Sequence, residues 1–198
     1  MRRIKVRSSS VGTSRGFRRK ARDAEIIRKV LLIFLIIGGL SLAVLGQPVT
    51  VAAKTQQSQS DDGIPEHIKG YCEEVGEIYG ICPELLEAIA FYESRFIPDV
   101  KNNNCWGMMQ INIKIHEDRI FSLGYTKEEM LDPYKSLIVA ADILSDLYEI
   151  YEDDNPIVLM YYAGQQKAIP RYRKYGELTK YVKNVLTRSE KYERLHGK

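Results

Sequence analysis

Residues 82–99 read CPELLEAIAFYESRFIPD. Pro83 stands at a favoured first helical position, Glu84 and Glu87 lie near the positive end of the helix dipole, and Pro98 disfavours helix beyond about Arg95. Leu86, Ile89 and Ala90 recur at helical spacing, so the stretch reads as an amphipathic helix. Glu93 follows Leu86 by two turns, and at about 100° per residue it returns to within roughly 20° of the apolar stripe. It is expected to be the one acid of this helix aimed at the core, with Glu84 and Glu87 pointing elsewhere. Burial disfavours an ionised carboxylate, so such a group keeps its proton toward neutrality and can donate it in catalysis.

The surrounding patterns are helical almost throughout. Ile68, Tyr71, Cys72, Val75 and Ile78 predict a helix over 66–79, opened by Pro65. Leu137, Ala140, Ala141, Leu144, Leu147, Tyr148 and Tyr151 predict a long core helix over 133–151. Short helices are expected near 117–123 and 127–131, and a hydrophobic turn and a half after Pro156, closed by Gly164. A last helix is expected over 177–195, with Leu178, Tyr181, Val182, Val185 and Leu186 on one face. DVKNNNCWGMMQIN, residues 99–112, is turn-like and then extended, which predicts a loop leading to a short strand or hairpin. The fold class is therefore mainly α with a very small β-sheet.

The chain has 198 residues, enough for one well-cored domain and something further. Residues 1–29 carry eleven Lys or Arg against two acids, and residues 30–46, VLLIFLIIGGLSLAVLG, carry no charge. That pair of features predicts a transmembrane signal-anchor at 30–46, its basic segment 1–29 in the cytoplasm and everything after it outside the cell. A cleavable signal peptide is the alternative, with Val44 and Gly46 preceding a cut before Gln47, which would leave the domain secreted. Residues 47–63 read as a flexible linker, and 64–198 as the folded domain. Residues 47–198 hold 18 basic and 24 acidic residues, so the basic excess of the whole chain is a topology signal that says nothing about nucleic acid, which is not expected as a partner. The basic, tyrosine-bearing stretch 169–198 reads as a solvated helix face.

Cys72, Cys82 and Cys105 all fall in the exported part, where one disulfide and one thiol are expected from three possible pairings. A Cys82–Cys105 bridge would brace the helix and loop that present Glu93. Neither these cysteines nor His67, His116 and His196 have the spacing of a zinc site, so no metal and no cofactor is expected.

CPELLEAIAFYESRFIPD, followed by CWGMMQIN at 105–112, MYYAGQQ at 160–166 and TKYVKNVL at 179–186, resembles the soluble lytic transglycosylase family in motif order and spacing. The resemblance implies a lysozyme-like fold over about 66–190 and cleavage of the β-1,4 bond between N-acetylmuramic acid and N-acetylglucosamine in peptidoglycan glycan strands. It assigns Glu93 as the single catalytic acid, Tyr181 as the tyrosine that reaches it, and Ser94 as its neighbour at the helix end. Gly107, Met109, Gln110 and Asn112 match the cleft wall, where a glycine would let backbone approach a sugar and amides suit acetamido and hydroxyl groups. Tyr161 matches an aromatic of the family's Tyr-Asn-Ala-Gly segment, and Tyr162 stands where the family has Asn. The implied route uses Glu93 as acid and then as base, leaving a 1,6-anhydro end. A two-carboxylate glycosidase would instead need a second acid, for which Asp99, Glu117 and Asp118 are the candidates. A water-admitting muramidase of the same fold and a non-catalytic wall-binding or assembly component are the alternatives.

Overall fold

A computed structural model describes residues 62–198. The basic segment 1–29, the apolar run 30–46 and the linker as far as residue 61 lie outside the described residues. Among those described, no helix is long and apolar enough to cross a membrane.

Helix α1, Glu66–Tyr79, begins after Pro65 and stops at Gly80, whose left-handed conformation returns its N–H to the Gly76 carbonyl. It buries Ile68, Cys72, Val75 and Ile78. Helix α2, Pro83–Ser94, opens on Pro83 and ends where Arg95 and Phe96 both take positive φ. Two consecutive non-glycine residues in that region are strained, and the buried Phe96 ring helps hold them there. A three-stranded antiparallel sheet follows, β1 Lys101–Asn102, β2 Cys105–Trp106 and β3 Ile111–Asn112, in the register Asn102 to Cys105 and Cys105 to Asn112. Helix α3, Glu117–Ser122, and a 3-10 turn, Glu128–Leu131, lead into α4, Pro133–Tyr151. Asp132 caps α4 by accepting from the Lys135 N–H, and Asp154 does the same for α5, Asn155–Tyr162, through Ile157. After a short 3-10 turn come α6, Ile169–Tyr175, and α7, Lys180–Leu195.

Helices α1, α2 and α4 lie where their spacing predicts. Three expectations are corrected. First, α6 was not anticipated, although Pro170 in its first turn and Gly176 at its C-cap are ordinary boundary residues. Second, α7 starts at Lys180 and not at 177, because Thr179 caps it by accepting from the Val182 N–H; Leu178 is left outside the helix and exposed. Third, α2 is not amphipathic. It is packed between α1 and α7, so Leu85, Leu86, Ala88, Ile89 and Ala90 are all buried, and so are Glu84 and Glu87. A helix enclosed on more than one side has no outward face to which those acids could turn.

The core is continuous from Ile64 through α1, α2 and α4 to Val182, Val185 and Tyr192 on α7. Arg119 of α3 reaches Asp142 and Asp146 of α4, which fastens the segment after the sheet to the core helix.

Candidate active site

The last turn of α2 carries Glu93 to a groove of about 560 Å³. Its walls come from the sheet (Asn102, Cys105, Ile111, Asn112), from α4 (Ile143, Leu147), from the end of α5 (Tyr161, Tyr162) and from Tyr181 at the start of α7. Packing sets the position of Glu93: α2 is immobilised by its buried leucines, isoleucine and alanines, and the strained turn at Arg95 and Phe96 ends the helix right after it.

The Tyr181 hydroxyl donates to Glu93 Oε1 at 2.6 Å. Burial raises the Glu93 carboxyl above its ordinary range, and the Tyr181 hydrogen bond, which favours the ionised form, moderates the rise. Tyr181 is itself held well above the ordinary phenol range, first by burial and then by the charge of Glu93, so it stays a donor at any physiological pH. The other oxygen of Glu93 is the one that can carry a transferable proton. Tyr162 donates to the Met109 carbonyl at 2.8 Å, tying α5 to the turn before β3, and Tyr161 stacks on Tyr151 with ring centroids 4.6 Å apart.

Of the residues singled out from sequence, Glu93, Gln110, Asn112, Tyr161, Tyr162 and Tyr181 surround this one groove. Ser94, Gly107 and Met109 do not line it. Ser94 is buried and its hydroxyl turns back to the Ala90 carbonyl. Met109 is fully buried; its N–H donates to Ser136 Oγ and its carbonyl receives Tyr162. Gly107 is required by packing and not by a sugar: a Cβ there would lie 1.8 Å from the Met130 carbonyl oxygen, at φ +81. Residues 107–110 form a tight turn, and only Ile111–Asn112 is strand.

Gln110, also at positive φ, spends its side-chain N–H donors on the Val100 and Gly107 carbonyls. What it can offer a ligand is its carbonyl oxygen. Asn112 Oδ1 accepts from the Lys114 and Ile115 N–H groups, which leaves its amide nitrogen as the donor. The two amides thus present complementary functions, one acceptor and one donor, fixed by the loop that holds them.

Sequence reasoning missed Cys105, His116 and Gln165, which also line the groove. No periodicity marks them; they arrive there because the sheet and the turn after α5 fold over the end of α2. The one expected disulfide is absent in any of its three pairings, Cys82–Cys105 included: all three cysteines are free thiols. Cys82 sits at the start of α2 and Cys105 beside the groove at its far end, and a helix of 12 residues is about 18 Å long, beyond the span of a disulfide. Cys82 is engaged by Glu84 at 3.1 Å. Of the three possible second acids, Asp99 and Asp118 are exposed and Glu117 pairs with Lys127 at 2.8 Å; none lines the groove. Among the described residues, Glu93 is the one carboxylate in its lining.

A larger hollow of about 800 Å³ lies at the opposite end of α2, against Tyr148 and Leu186. Its acids, Glu149, Asp153, Glu190 and Glu193, are exposed or half-exposed, so it lacks a desolvated acid such as the smaller groove holds in Glu93.

A mainly helical domain that delivers one desolvated carboxyl from a buried helix into a groove walled by a small sheet has the lysozyme-like design. The chain matches the Transglycosylase SLT domain over residues 70–184, more than half of its length, and belongs to that family. It is 35% identical over 127 residues to the invasion protein IagB of Salmonella typhimurium strain LT2, a match covering 61% of this chain and 74% of the relative. It is 34% identical over 122 residues to the protein IpgF of Shigella flexneri, covering 59% of this chain and 76% of the relative.

Proposed function

We propose that this chain is a peptidoglycan lytic transglycosylase that cleaves the bond between N-acetylmuramic acid and N-acetylglucosamine and leaves a 1,6-anhydromuramoyl end. The observation that carries the reading is the single carboxyl of Glu93, desolvated and hydrogen-bonded by Tyr181, in a groove whose described lining holds no second acid. Glycosidases of the two-carboxylate kind need the partner at roughly 5 to 9.5 Å, either to attack C1 or to activate water. Without it, one residue must act twice.

Glu93 gives its proton to the glycosidic oxygen as the C1–O4 bond breaks and the N-acetylglucosamine leaves as an alcohol. The Glu93 carboxylate so formed then takes the proton of the muramoyl C6 hydroxyl while that oxygen bonds to C1. Atoms and charge balance, Glu93 is regenerated in its protonated form, and no water is consumed. Tyr181 keeps its hydrogen bond to Oε1 through both steps and is worth more to the transient carboxylate than to the neutral acid, as a donor aimed at developing charge should be. The C6 hydroxyl is already attached to the sugar that it attacks, which supplies proximity that a separate water lacks. Gln110 and Asn112 offer the acceptor and donor for acetamido or hydroxyl groups, and Tyr161 an aromatic face for a sugar ring.

The apolar run 30–46, with its basic flank, would hold the domain on the outer face of the membrane.

Digestion of purified peptidoglycan with the full-length protein, followed by mass spectrometry, tests the proposal. Anhydro ends, lighter than reducing ends by one water, are expected from the wild type and none from Glu93→Gln. Reducing ends would show a hydrolase, and glycan binding without products from the wild type would show a wall-binding component.

A further inference from the structure

Helices α2 and α7 pack antiparallel over nearly their whole lengths, and polar contacts join them at three levels. At one end Tyr181 meets Glu93. From the middle of α7 the Arg188 guanidinium reaches over the Phe91 ring, two residues before Glu93, at 3.4 Å. At the other end, just past α7, His196 Nδ1 lies 3.0 Å from Glu84 Oε1 and Nε2 lies 2.9 Å from Asp62 Oδ2. Lys198 adds a second cation on Glu84 at 2.7 Å, Lys69 of α1 meets Asp62 at 3.4 Å, and Glu87 stands 4.0 Å from His196 Nδ1. Glu84 is 1% and Glu87 0% exposed, so these carboxylates are desolvated, while Lys198 reaches Glu84 from the surface.

Both ring nitrogens of His196 face carboxylates, an arrangement that only the imidazolium satisfies with two donated protons. Hydrogen bonds between charged groups are directional, and in a desolvated setting they define position more sharply than apolar contact does. Of the 16 residues of α7, Val182, Val185, Ser189 and Tyr192 are buried; the first three are small and leave the Tyr181 half of the helix little to key its register, while the large Tyr192 ring lies at the His196 end. Together with Tyr192, on whose ring its imidazole stacks, His196 fastens the end of the helix away from Tyr181.

We propose that the His196 clamp on Asp62 and Glu84 is a positioning device for catalysis: it sets how far α7 lies along α2 and thereby the reach of Tyr181 to Glu93. The helix between them is about 24 Å long and transmits an axial shift as a nearly rigid rod. The catalytic meaning rests on Glu93 being the acid proposed above; the geometric coupling does not. His196 touches neither substrate nor Glu93 and acts through Tyr181.

The test is a double-mutant cycle in the full-length protein between His196→Ala and Tyr181→Phe. One readout is the titration of the Glu93 carboxyl by carbon NMR of glutamate-labelled protein, with its resonance assigned by its loss in Glu93→Gln. The other is peptidoglycan turnover, resolved into kcat and KM. Sites so far apart normally act independently. His196→Ala is expected to raise the Glu93 titration midpoint, as Tyr181→Phe does by removing the hydrogen bond, and to lower kcat by about tenfold with little change in KM. The double variant is expected to match Tyr181→Phe alone within about twofold. An unmoved Glu93 midpoint in His196→Ala, or effects that multiply in the double variant, overturns the clamp. Asp62→Asn, which removes one of the two anchors, replaces His196→Ala in the cycle if near-UV circular dichroism shows that the alanine variant does not fold. If the wild type turns over no glycan, the proposed function falls and the titration still decides whether His196 positions Tyr181.

Discussion

Glu87→Gln should flatten the loss of stability that the domain suffers between pH 5 and pH 8. Glu87 is fully buried on α2, and neither of its side-chain oxygens has a hydrogen-bond partner. Burial is the main cause that pushes its carboxyl up from 4.5 to about 8; the neighbouring acids Glu84 and Asp62 add to the rise, and His196 and Lys69 pull it back. The folded protein therefore keeps a proton that the unfolded chain releases above about 4.5. A folded-state pKa raised in this way contributes stability that is complete below the unfolded value and is lost as pH climbs through the folded one. At about 1.36 kcal/mol for each pH unit above 4.5, holding Glu87 protonated costs about 3 kcal/mol at pH 7, a large part of the roughly 5 to 15 kcal/mol that stabilises an ordinary domain. Glutamine fills nearly the same volume and has no proton to release. Urea unfolding at pH 5, 6, 7 and 8, followed by the fluorescence of Trp106, the only tryptophan in the chain, measures both curves. The wild type should lose a few kcal/mol across that range. The variant should keep the smaller slopes of Glu93, whose carboxyl burial also raises, and of His196, where burial, which lowers the pKa, is outweighed by Asp62 and Glu84, so that its contribution is lost as pH rises above 6.5; His116, lowered by burial, acts in the opposite sense. Parallel curves would refute the reasoning.

Gly107→Ala should destabilise the domain by at least about 3 kcal/mol, because the new Cβ meets a backbone oxygen that cannot move aside without unseating the turn before α4; denaturant midpoints check it. Arg119→Met should cost about 3 kcal/mol in the same assay, since it leaves Asp142 and Asp146 without their shared guanidinium near the core. In a Cys82→Ser background, a bulky thiol reagent should block glycan turnover by occupying the groove at Cys105. Its reaction should be slower than with an exposed peptide thiol, because burial and the charge of Glu93 raise the Cys105 pKa; mass spectrometry times the modification against the loss of activity.

The boundaries of α1, α2 and α4 were legible in the chain because each is written in local terms: Pro65, Pro83 and Pro133 near their starts, Gly80 and Pro98 near or beyond their ends, and apolar residues in step between. The position of Glu93 on the inner side of α2 was legible for the same reason. The claim that it was the only inward acid was not sound, because a stripe read from spacing reports one face. Whether Glu84 and Glu87 meet water depends on what closes over the remaining faces. Here α7 does so, arriving from about 100 residues later in the chain.

By itself the sequence determined a helical domain, a helix ending in an acid at Glu93, and a set of polar and aromatic side chains near positions 107–112, 161–162 and 181. Those follow from interactions between residues a few positions apart. Tertiary structure alone decided which of them share a groove: that Tyr181 lies 2.6 Å from Glu93, that Gly107 answers to Met130, that Gln110 has spent its donors, and that Cys105 and His116 join the lining. It also decided that Glu84 meets His196 across 112 positions. The physical reason is that periodicity sets the direction of a side chain relative to its own helix, whereas burial, pKa and partnership depend on which distant helix packs against that direction.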